Sequence, residues 1–149
     1  AGMSVRAEAV LTTAIRLMPD NASLFVDRAQ ARAGQKNYTG AIQDLNKAIK
    51  FDGHLTDAFV FRASAYRQLK KLEIALADVE KALSLQPKHS EGLLERGNLK
   101  RLLQDDKGAR KDWLALIKNS PTSPAAENAR KNIEVLNLKK IKKPHKGQL

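Results

Sequence analysis

The chain has 149 residues, which suffice for one domain with a core or for one short repeat array. Hydrophobic residues make up 42% of it and aromatic residues only 5%, a composition that favours close-packed helices over a sandwich or barrel. The lack of cysteine excludes disulfides, cysteine-ligated zinc and cysteine nucleophiles, and a net charge of +11 attracts acidic partners of any chemistry.

The N-terminal segment, residues 1–19, is amphipathic and lacks the basic start and apolar run of a signal peptide. No apolar stretch in the sequence approaches the roughly 18–20 residues that are needed to span a bilayer. We therefore expect a soluble protein without a transmembrane segment, either cytoplasmic or, if a leader was removed upstream, periplasmic.

A period of 34 residues without insertions runs from this segment almost to the C-terminus. Its most regular position holds Ala7, Ala41, Ala75 and Ala109. Other positions of the second half of the period hold Leu11, Leu45, Val79 and Trp113, then Ala14, Ala48, Ala82 and Leu116, and finally the breakers Pro19, Gly53, Pro87 and Pro121. Positions of the first half hold Phe25, Phe59 and Leu93, and then Ala29, Ala63 and Gly97. This self-similarity predicts an array of equivalent units.

Each unit contains two apolar stripes at helical spacing, joined by a short polar turn such as that around Lys70 and Lys71. Small residues at Ala63 and Ala75 allow the two helices to approach closely. The pattern predicts helices at about residues 3–17, 22–35, 39–51, 56–69, 72–85, 90–103, 106–118 and 124–141.

The last predicted helix begins with Ser123 as a plausible N-cap and Pro124 at the first helical position. One face is apolar and the other is charged, which is typical of a helix that shields the end of a stack. The apolar face consists of Ala126, Ala129, Ile133 and Leu136.

The period and the order of small, large and proline positions resemble the tetratricopeptide repeat (TPR) family, and the closing stretch is similar to bacterial repeat proteins. The resemblance implies an all-α fold, a right-handed superhelical array of antiparallel helical hairpins. The expected divisions are a half repeat at 1–19, repeats at 20–53, 54–87 and 88–121, a capping helix at 122–141 and a basic tail at 142–149. The sequence departs from the family pattern at Arg32, Lys100, Trp113 and Gly97, and we expect these departures to weaken individual units.

The family likeness also implies that the first helix of each hairpin lines a concave groove. Carried over by position, the groove has an apolar row of Val26, Val60 and Leu94 bordered by Phe61, a hydrogen-bonding row of Gln30, Ser64 and Asn98, and a third, mainly basic row of Ala33, Arg67 and Arg101. Such a surface suits a short peptide with one apolar anchor and a carboxylate. The alternative is that the apolar row merely packs between neighbouring first helices.

One subclass of the family clamps the C-terminal carboxylate of chaperone tails with lysine, asparagine and arginine. The corresponding positions in this sequence hold Val26, Gln30, Phe61, Glu91 and Glu95. Because two acids stand where the clamp needs cations, a chaperone C-terminal tail is disfavoured as the partner.

No catalytic, cofactor or metal site is predicted. The histidines, His54, His89 and His145, are far apart in sequence, and a histidine in a turn is usually solvated. Asp105 and Asp106 most simply cap the helix that begins beside them. Trp113 falls at a core position and is expected to pack rather than to stack on a ligand.

The leading interpretation is a non-catalytic scaffold or adaptor that binds a peptide segment of a partner protein. The basic charge and the lysine-rich tail also suit nucleic acid, although the tail has no aromatic side chain to stack on bases. A further alternative is self-association through the N-terminal half repeat, whose Val5, Ala9 and Leu11 lie near the surface that an absent partner helix would cover.

Overall fold

The computed structural model describes residues 2–141, with side chains described as far as residue 139. It contains eight helices: α1 (Gly2–Leu17), α2 (Ala22–Gly34), α3 (Tyr38–Phe51), α4 (Thr56–Gln68), α5 (Leu72–Leu85), α6 (Ser90–Leu102), α7 (Asp106–Asn119) and α8 (Pro124–Ile141). Because no strand occurs in this part of the chain, the all-α class is confirmed, and each helix boundary lies within one residue of its predicted position. The predicted basic tail, residues 142–149, lies outside the described residues.

The helices form two compact units, Ala1–Pro87 and Lys88–Leu149. The first unit consists of α1 and two helical hairpins, α2–α3 and α4–α5, and α3 packs on α4 to join the hairpins. Ala63 and Ala75 are fully buried in the second hairpin, as their small size predicts. A larger side chain at either position would cost about 1–3 kcal/mol through overpacking.

A buried ion pair links the two helices of each hairpin. In the first hairpin, Arg28 donates from Nε and Nη2 to the Asp44 carboxylate at 2.9 and 2.7 Å, and both side chains are almost completely buried. The hydrogen bonds to Asp44 raise the pKa of Arg28 above its ordinary value. The same bidentate pair recurs as Arg62–Asp78 and Arg96–Asp112, always sixteen residues apart. Bidentate geometry fixes the alignment of the two helices as well as their contact.

Basic residues occupy two positions at which we expected the family pattern to weaken. Arg32 pairs with Asp44 at 3.0 Å and with Glu8 of α1 at 2.8 Å. Lys100 pairs with Asp112 at 2.8 Å. Each basic residue therefore gives a buried carboxylate a second cation and adds a contact to its repeat, and the expectation that these two departures weaken individual units stays a prediction.

The turn inside each hairpin contains one residue in the left-handed region. Lys36, Lys70 and Gln104 have φ values of 61°, 62° and 66°. Glycine adopts this conformation without strain, whereas a residue with a Cβ atom pays roughly 1–2 kcal/mol. The same backbone turn is thus repeated three times with a residue that is not ideal for it.

The second unit consists of the α6–α7 hairpin and of α8, which packs against both helices. Trp113 is completely buried, as its core position predicts. Its indole lies directly against the backbone of Gly97 on the facing helix. The remaining departures from the family pattern, Gly97 and Trp113, therefore contact each other: the large indole occupies the space that the missing side chain of the glycine leaves.

The start of α8 agrees with the sequence. Ser123 Oγ accepts a hydrogen bond from the Ala126 backbone N–H at 3.1 Å, which confirms the predicted N-cap. Three of the four predicted apolar residues are buried and the fourth, Ile133, is half-buried.

The outer face of α8 is polar. Glu127 and Lys131 are exposed and form an ion pair at 2.8 Å. In the register of the repeat they replace Phe25 and Ala29, which are buried in the first hairpin. The helix α8 thus offers charges at positions where an earlier repeat has apolar residues, and its role as a capping helix stays a prediction.

Two turn residues cap the helices of the α6–α7 hairpin. Asp105 Oδ1 accepts from the Gly108 N–H at 2.8 Å, as predicted. His89 was expected to be solvated, but its Nδ1 accepts from the Gly92 N–H at 3.1 Å and caps α6. The prediction for His89 is wrong because the first turn of a helix needs acceptors for its free N–H groups.

Among the described residues, no helix has both the length and the apolar content that crossing a membrane requires.

Candidate peptide-binding site

A cleft of about 260 Å³ opens in the first unit between α2, α3 and α4. Four of the predicted groove residues line it, namely Gln30 and Ala33 on α2 and Phe61 and Ser64 on α4. Gln30 is exposed, and Ala33, Phe61 and Ser64 are half-buried, so their side chains are accessible to a ligand. The structure therefore brings these four predicted residues together in one concave surface.

The cleft has an apolar interior and polar groups beside it. Sequence reasoning assigned four of its residues to the groove and missed the other six lining residues: Ala29, Tyr38, Ala41, Leu45, Ala65 and Gln68. Small alanine side chains create the space, because a larger residue at any of these positions would fill it. The amides of Gln30 and Gln68 and the hydroxyl groups of Ser64 and Tyr38 can donate and accept hydrogen bonds. Such a cleft has the size and chemistry to hold one apolar side chain beside a peptide backbone.

The predicted apolar row does not line this cleft. Val26 is 8% exposed and Val60 is 3% exposed, so each valine belongs to the core of the first unit. Val26 packs in the cluster that contains Phe25 and Leu45. Val26 thus belongs to a cluster that includes Ala58 of the neighbouring first helix α4, as the alternative interpretation expects, whereas Val60 clusters with Phe59 of its own helix and with Ala82 of α5. Arg67, from the predicted basic row, is half-buried and also lies outside the cleft lining.

The remaining predicted residues belong to α6 of the second unit. Leu94, Asn98 and Arg101 are all half-buried there. Asn98 accepts a hydrogen bond through Oδ1 from Asn132 Nδ2 on α8 at 2.9 Å. Asn132 stands 34 residues after Asn98, so it continues the hydrogen-bonding row into the last helix. The 34-residue step was sufficient to find Asn132, but the sequence analysis had treated α8 only as a cap.

The hairpins and the cleft define a helical-repeat protein in which, within each unit, helices that follow one another along the chain pack side by side. The chain belongs to the tetratricopeptide repeat family: models described as tetratricopeptide repeat match residues 6–54 and 56–89. Proteins of this family act as peptide-binding interaction modules, which agrees with the function that the sequence resemblance implied.

Two curated relatives illustrate the similarity. The chain is 39% identical over 69 residues to the protein SGT1 homolog of Oryza sativa subsp. japonica, and this matched region makes up 46% of this chain and 19% of the relative. It is 31% identical over 108 residues to the protein STIP1 homolog of Dictyostelium discoideum, and this matched region makes up 72% of this chain and 19% of the relative. The chain thus spans about a fifth of the length of these relatives. Both are eukaryotic, and the likeness to bacterial repeat proteins remains a prediction.

A solved structure has a similar fold and holds a peptide. It is described as the first TPR of Spaghetti (RPAP3) bound to HSP90 peptide SRMEEVD. It superposes with a TM-score of 0.69 at 27% identity and covers 78% of this chain and 93% of that one.

This structure opposes our expectation that a chaperone tail is disfavoured. The expectation rested on Glu91 and Glu95 at positions where a clamp needs cations. Glu95 is only 6% exposed, so its carboxylate is not displayed at the surface as the argument assumed. Residue type at five positions is therefore not enough to exclude a chaperone tail.

Proposed function

We propose that the chain is a non-catalytic scaffold or adaptor module, and that the cleft of its first unit binds a peptide segment of a partner protein. Gln30, Phe61 and Ser64 are the proposed contacts in this cleft. The observation that carries the proposal is the accessible cleft of about 260 Å³, lined by apolar side chains with hydrogen-bonding groups beside them. Arg67 in the same unit is proposed as a further contact, and Leu94, Asn98 and Arg101 are proposed as a separate set of peptide contacts on α6 of the second unit.

The proposed ligand is a short peptide with one apolar anchor and acidic residues or a free carboxylate. The cleft offers room for one apolar side chain, and the protein's charge of +11 attracts an acidic segment over a distance of about a Debye length. The peptide bound by the similar TPR domain, SRMEEVD, contains both apolar and acidic residues. It is therefore the natural first probe.

The experiment fills the cleft. Fluorescence anisotropy would be measured with labelled SRMEEVD and with the strongest ligands selected from a displayed peptide library. Ser64→Phe places an aromatic ring in the cleft and is expected to weaken binding of the selected peptide by at least about tenfold, because an apolar anchor contributes roughly 1.5–3 kcal/mol when buried.

The matched control is Ser84→Phe, which introduces the same side chain at an exposed position on α5 of the same hairpin. It should bind as tightly as the unaltered protein, and circular dichroism should show that both variants remain helical. Equal affinities for Ser64→Phe and Ser84→Phe would contradict the proposed cleft.

A second candidate function is self-association through α1, favoured by an exposed stripe on this helix. Met3, Val10 and Leu17 are 88%, 69% and 79% exposed and lie seven residues apart on one face, with Ala7 and Ala14 between them. The large side chains Met3 and Leu17 stand seven residues on either side of Val10. An antiparallel second copy would therefore place Val10 against itself and Met3 against Leu17.

The face proposed here differs from the one that the sequence analysis named. Val5 and Ala9 are exposed but stand on another side of α1, and Leu11 is half-buried. The test is sedimentation equilibrium at increasing concentration, with Val10→Glu as the disrupting variant and Val5→Glu as its control. A protein that stays monomeric throughout, or a dimer that both variants disrupt equally, would rule out the α1 interface.

A further inference from the structure

A second cavity, of about 600 Å³, lies in the first unit where α1 and α3 end and α2 begins. It shares no lining residue with the cleft that contains Gln30 and Ser64. Its apolar part includes the side chains of Ile15, Phe25 and Phe51. The two phenyl rings lie 5.7 Å apart and are tilted by 36°. Phe51 is 45% exposed, which leaves an aromatic surface open at the cavity.

Cations surround this apolar surface. Arg16, Lys47 and Lys50 line the cavity together with a single carboxylate, Asp20. Lys47 Nζ lies 5.7 Å from the centre of the Phe25 ring, close enough for a cation–π contact that holds the ammonium group beside the cavity. Arg16 and Lys50 stand in the last turns of α1 and α3, where helix dipoles favour positive charge. The cavity therefore combines an apolar surface with an excess of positive charge.

The lining is specific to this place in the repeat array. In the next repeat, the positions of Lys50 and Phe51 hold Ser84 and Leu85, although the position of Lys47 keeps a lysine, Lys81. One repeat step thus removes a cation and the exposed ring, and it also replaces the carboxylate Asp20 by His54. Packing within the array does not require these side chains, because the second hairpin forms without them.

We propose that this cavity is a second ligand site, which binds an acidic peptide segment through one aromatic or large apolar side chain. The side chain packs against Phe51, and flanking carboxylates face Lys47, Lys50 and Arg16. A peptide fits this cavity better than a nucleic acid, because a nucleic acid is held by several rings on which successive bases stack, whereas this lining exposes one ring, Phe51, beside the buried Phe25.

The test uses the full chain and a defined probe. Acetyl-Glu-Glu-Phe-Glu-Glu-amide is titrated into ¹⁵N-labelled protein, and amide shifts are followed by NMR. The expected shifts are at Arg16, Lys47, Lys50 and Phe51, and signals of Gln30 and Ser64 report separately on the cleft. Replacing the probe's phenylalanine by alanine is expected to weaken binding about tenfold through the lost apolar contact.

Charge reversal supplies the matched pair of variants. Lys47→Glu and Lys81→Glu change the net charge equally, and both lysines are exposed on the second helices of neighbouring hairpins. Lys47→Glu is expected to weaken the probe about tenfold, whereas Lys81→Glu should change the affinity less than twofold.

Four results would overturn the second site: equal losses in the two lysine variants, equal affinity of the alanine probe, shifts confined to Gln30 and Ser64, or tighter binding of a single-stranded oligonucleotide at the same residues. The NMR signals of Gln30 and Ser64 report on the cleft independently of the second cavity. Failure of the second site is therefore distinguishable from failure of the proposed groove function.

Discussion

The indole of Trp113 on α7 occupies the space that a side chain at residue 97 on α6 would need. A Cβ atom placed on Gly97 would lie 2.6 Å from Cδ1 and 2.9 Å from Cε2 of the indole, closer than real Cβ contacts occur. Trp113 is fully buried and cannot move into solvent. At the equivalent positions the first hairpin has Ala29 and Leu45. Compared with that pair, the second unit has a smaller residue on the first helix and a larger one on the second.

We predict strong coupling between these two residues. Gly97→Ala should lower the free energy of unfolding by about 1–3 kcal/mol through overpacking, and Trp113→Leu should lower it by about 2–4 kcal/mol through the cavity it leaves. The double variant restores the alanine–leucine pair and should be less destabilised than the sum by about 1–3 kcal/mol. Urea denaturation monitored by circular dichroism measures all three.

Gly53→Ala is the control for the glycine substitution itself. A Cβ atom at Gly53 would meet only the Ile49 carbonyl oxygen at 3.8 Å, an ordinary contact. This variant should be within about 0.5 kcal/mol of the unaltered protein. Additive effects of Gly97→Ala and Trp113→Leu would show that the two residues do not share one packing constraint.

The repeated hairpin turn leads to a second prediction. Lys70 is exposed and has a φ of 62°, so its Cβ is strained in the folded state. Lys70→Gly should raise the free energy of unfolding by roughly 0.5–1 kcal/mol, since relief of this strain exceeds the entropy that glycine adds to the unfolded chain.

The control for this variant is Lys70→Ala, which removes the same side chain but keeps the Cβ atom. It should produce no gain, because alanine pays the same cost in the left-handed region. If thermal denaturation shows equal midpoints for the glycine and alanine variants, the turn conformation does not limit stability.

The helices could be predicted from the sequence because their signals are local and repeated four times. Apolar spacing, the Ser123 cap and the breakers such as Pro87 fix each helix without knowledge of its neighbours. Deletion of one signal would not have changed the register, since the other repeats supply it.

The candidate site was harder to predict because it depends on how far each side chain is covered. Sequence position assigns Val60 and Ser64 to the same helix face, yet Val60 is in the core and Ser64 lines the cleft. An aspartate at Val60, a natural first choice for disrupting binding, would therefore test folding instead. Arginine and aspartate recur every 34 residues at the positions of Arg28 and Asp44, so the sequence contains the signal for this pair. The hydrogen bonds between the two side chains become evident only in the structure.

This buried pair gives a third prediction. Asp44→Asn removes the charge that faces Arg28, which is 9% exposed, and should lower the free energy of unfolding by about 3–5 kcal/mol. Asp78→Asn should cost less, about 1–2 kcal/mol, because Arg62 has twice the exposed side-chain fraction of Arg28 and can recover some solvation. Urea denaturation provides the comparison.

Asp20→Asn serves as the control at an exposed position and should lie within about 0.5 kcal/mol of the unaltered protein. A cost at Asp44 no greater than that at Asp78 would mean that burial does not set the strength of these pairs.

The contact between α1 and α2 should depend on pH through Glu8. Hydrogen bonds from Arg32 at 2.8 Å and Gln35 at 2.7 Å lower the pKa of Glu8 below its ordinary value. A lowered pKa means that the stabilisation is complete at neutral pH and is lost as the pH falls from the ordinary glutamate value through the lowered one. At pH 7, Glu8→Gln should therefore lower the free energy of unfolding by about 0.5–1 kcal/mol, a difference that shrinks steadily below a pH of about 4.

Glu134→Gln, at an exposed position on α8, controls for the loss of a carboxylate. A constant difference between Glu8→Gln and the unaltered protein from pH 7 to pH 2 would show that the charge of Glu8 does not hold α1 against α2, and that its contribution comes from shape and neutral hydrogen bonding alone.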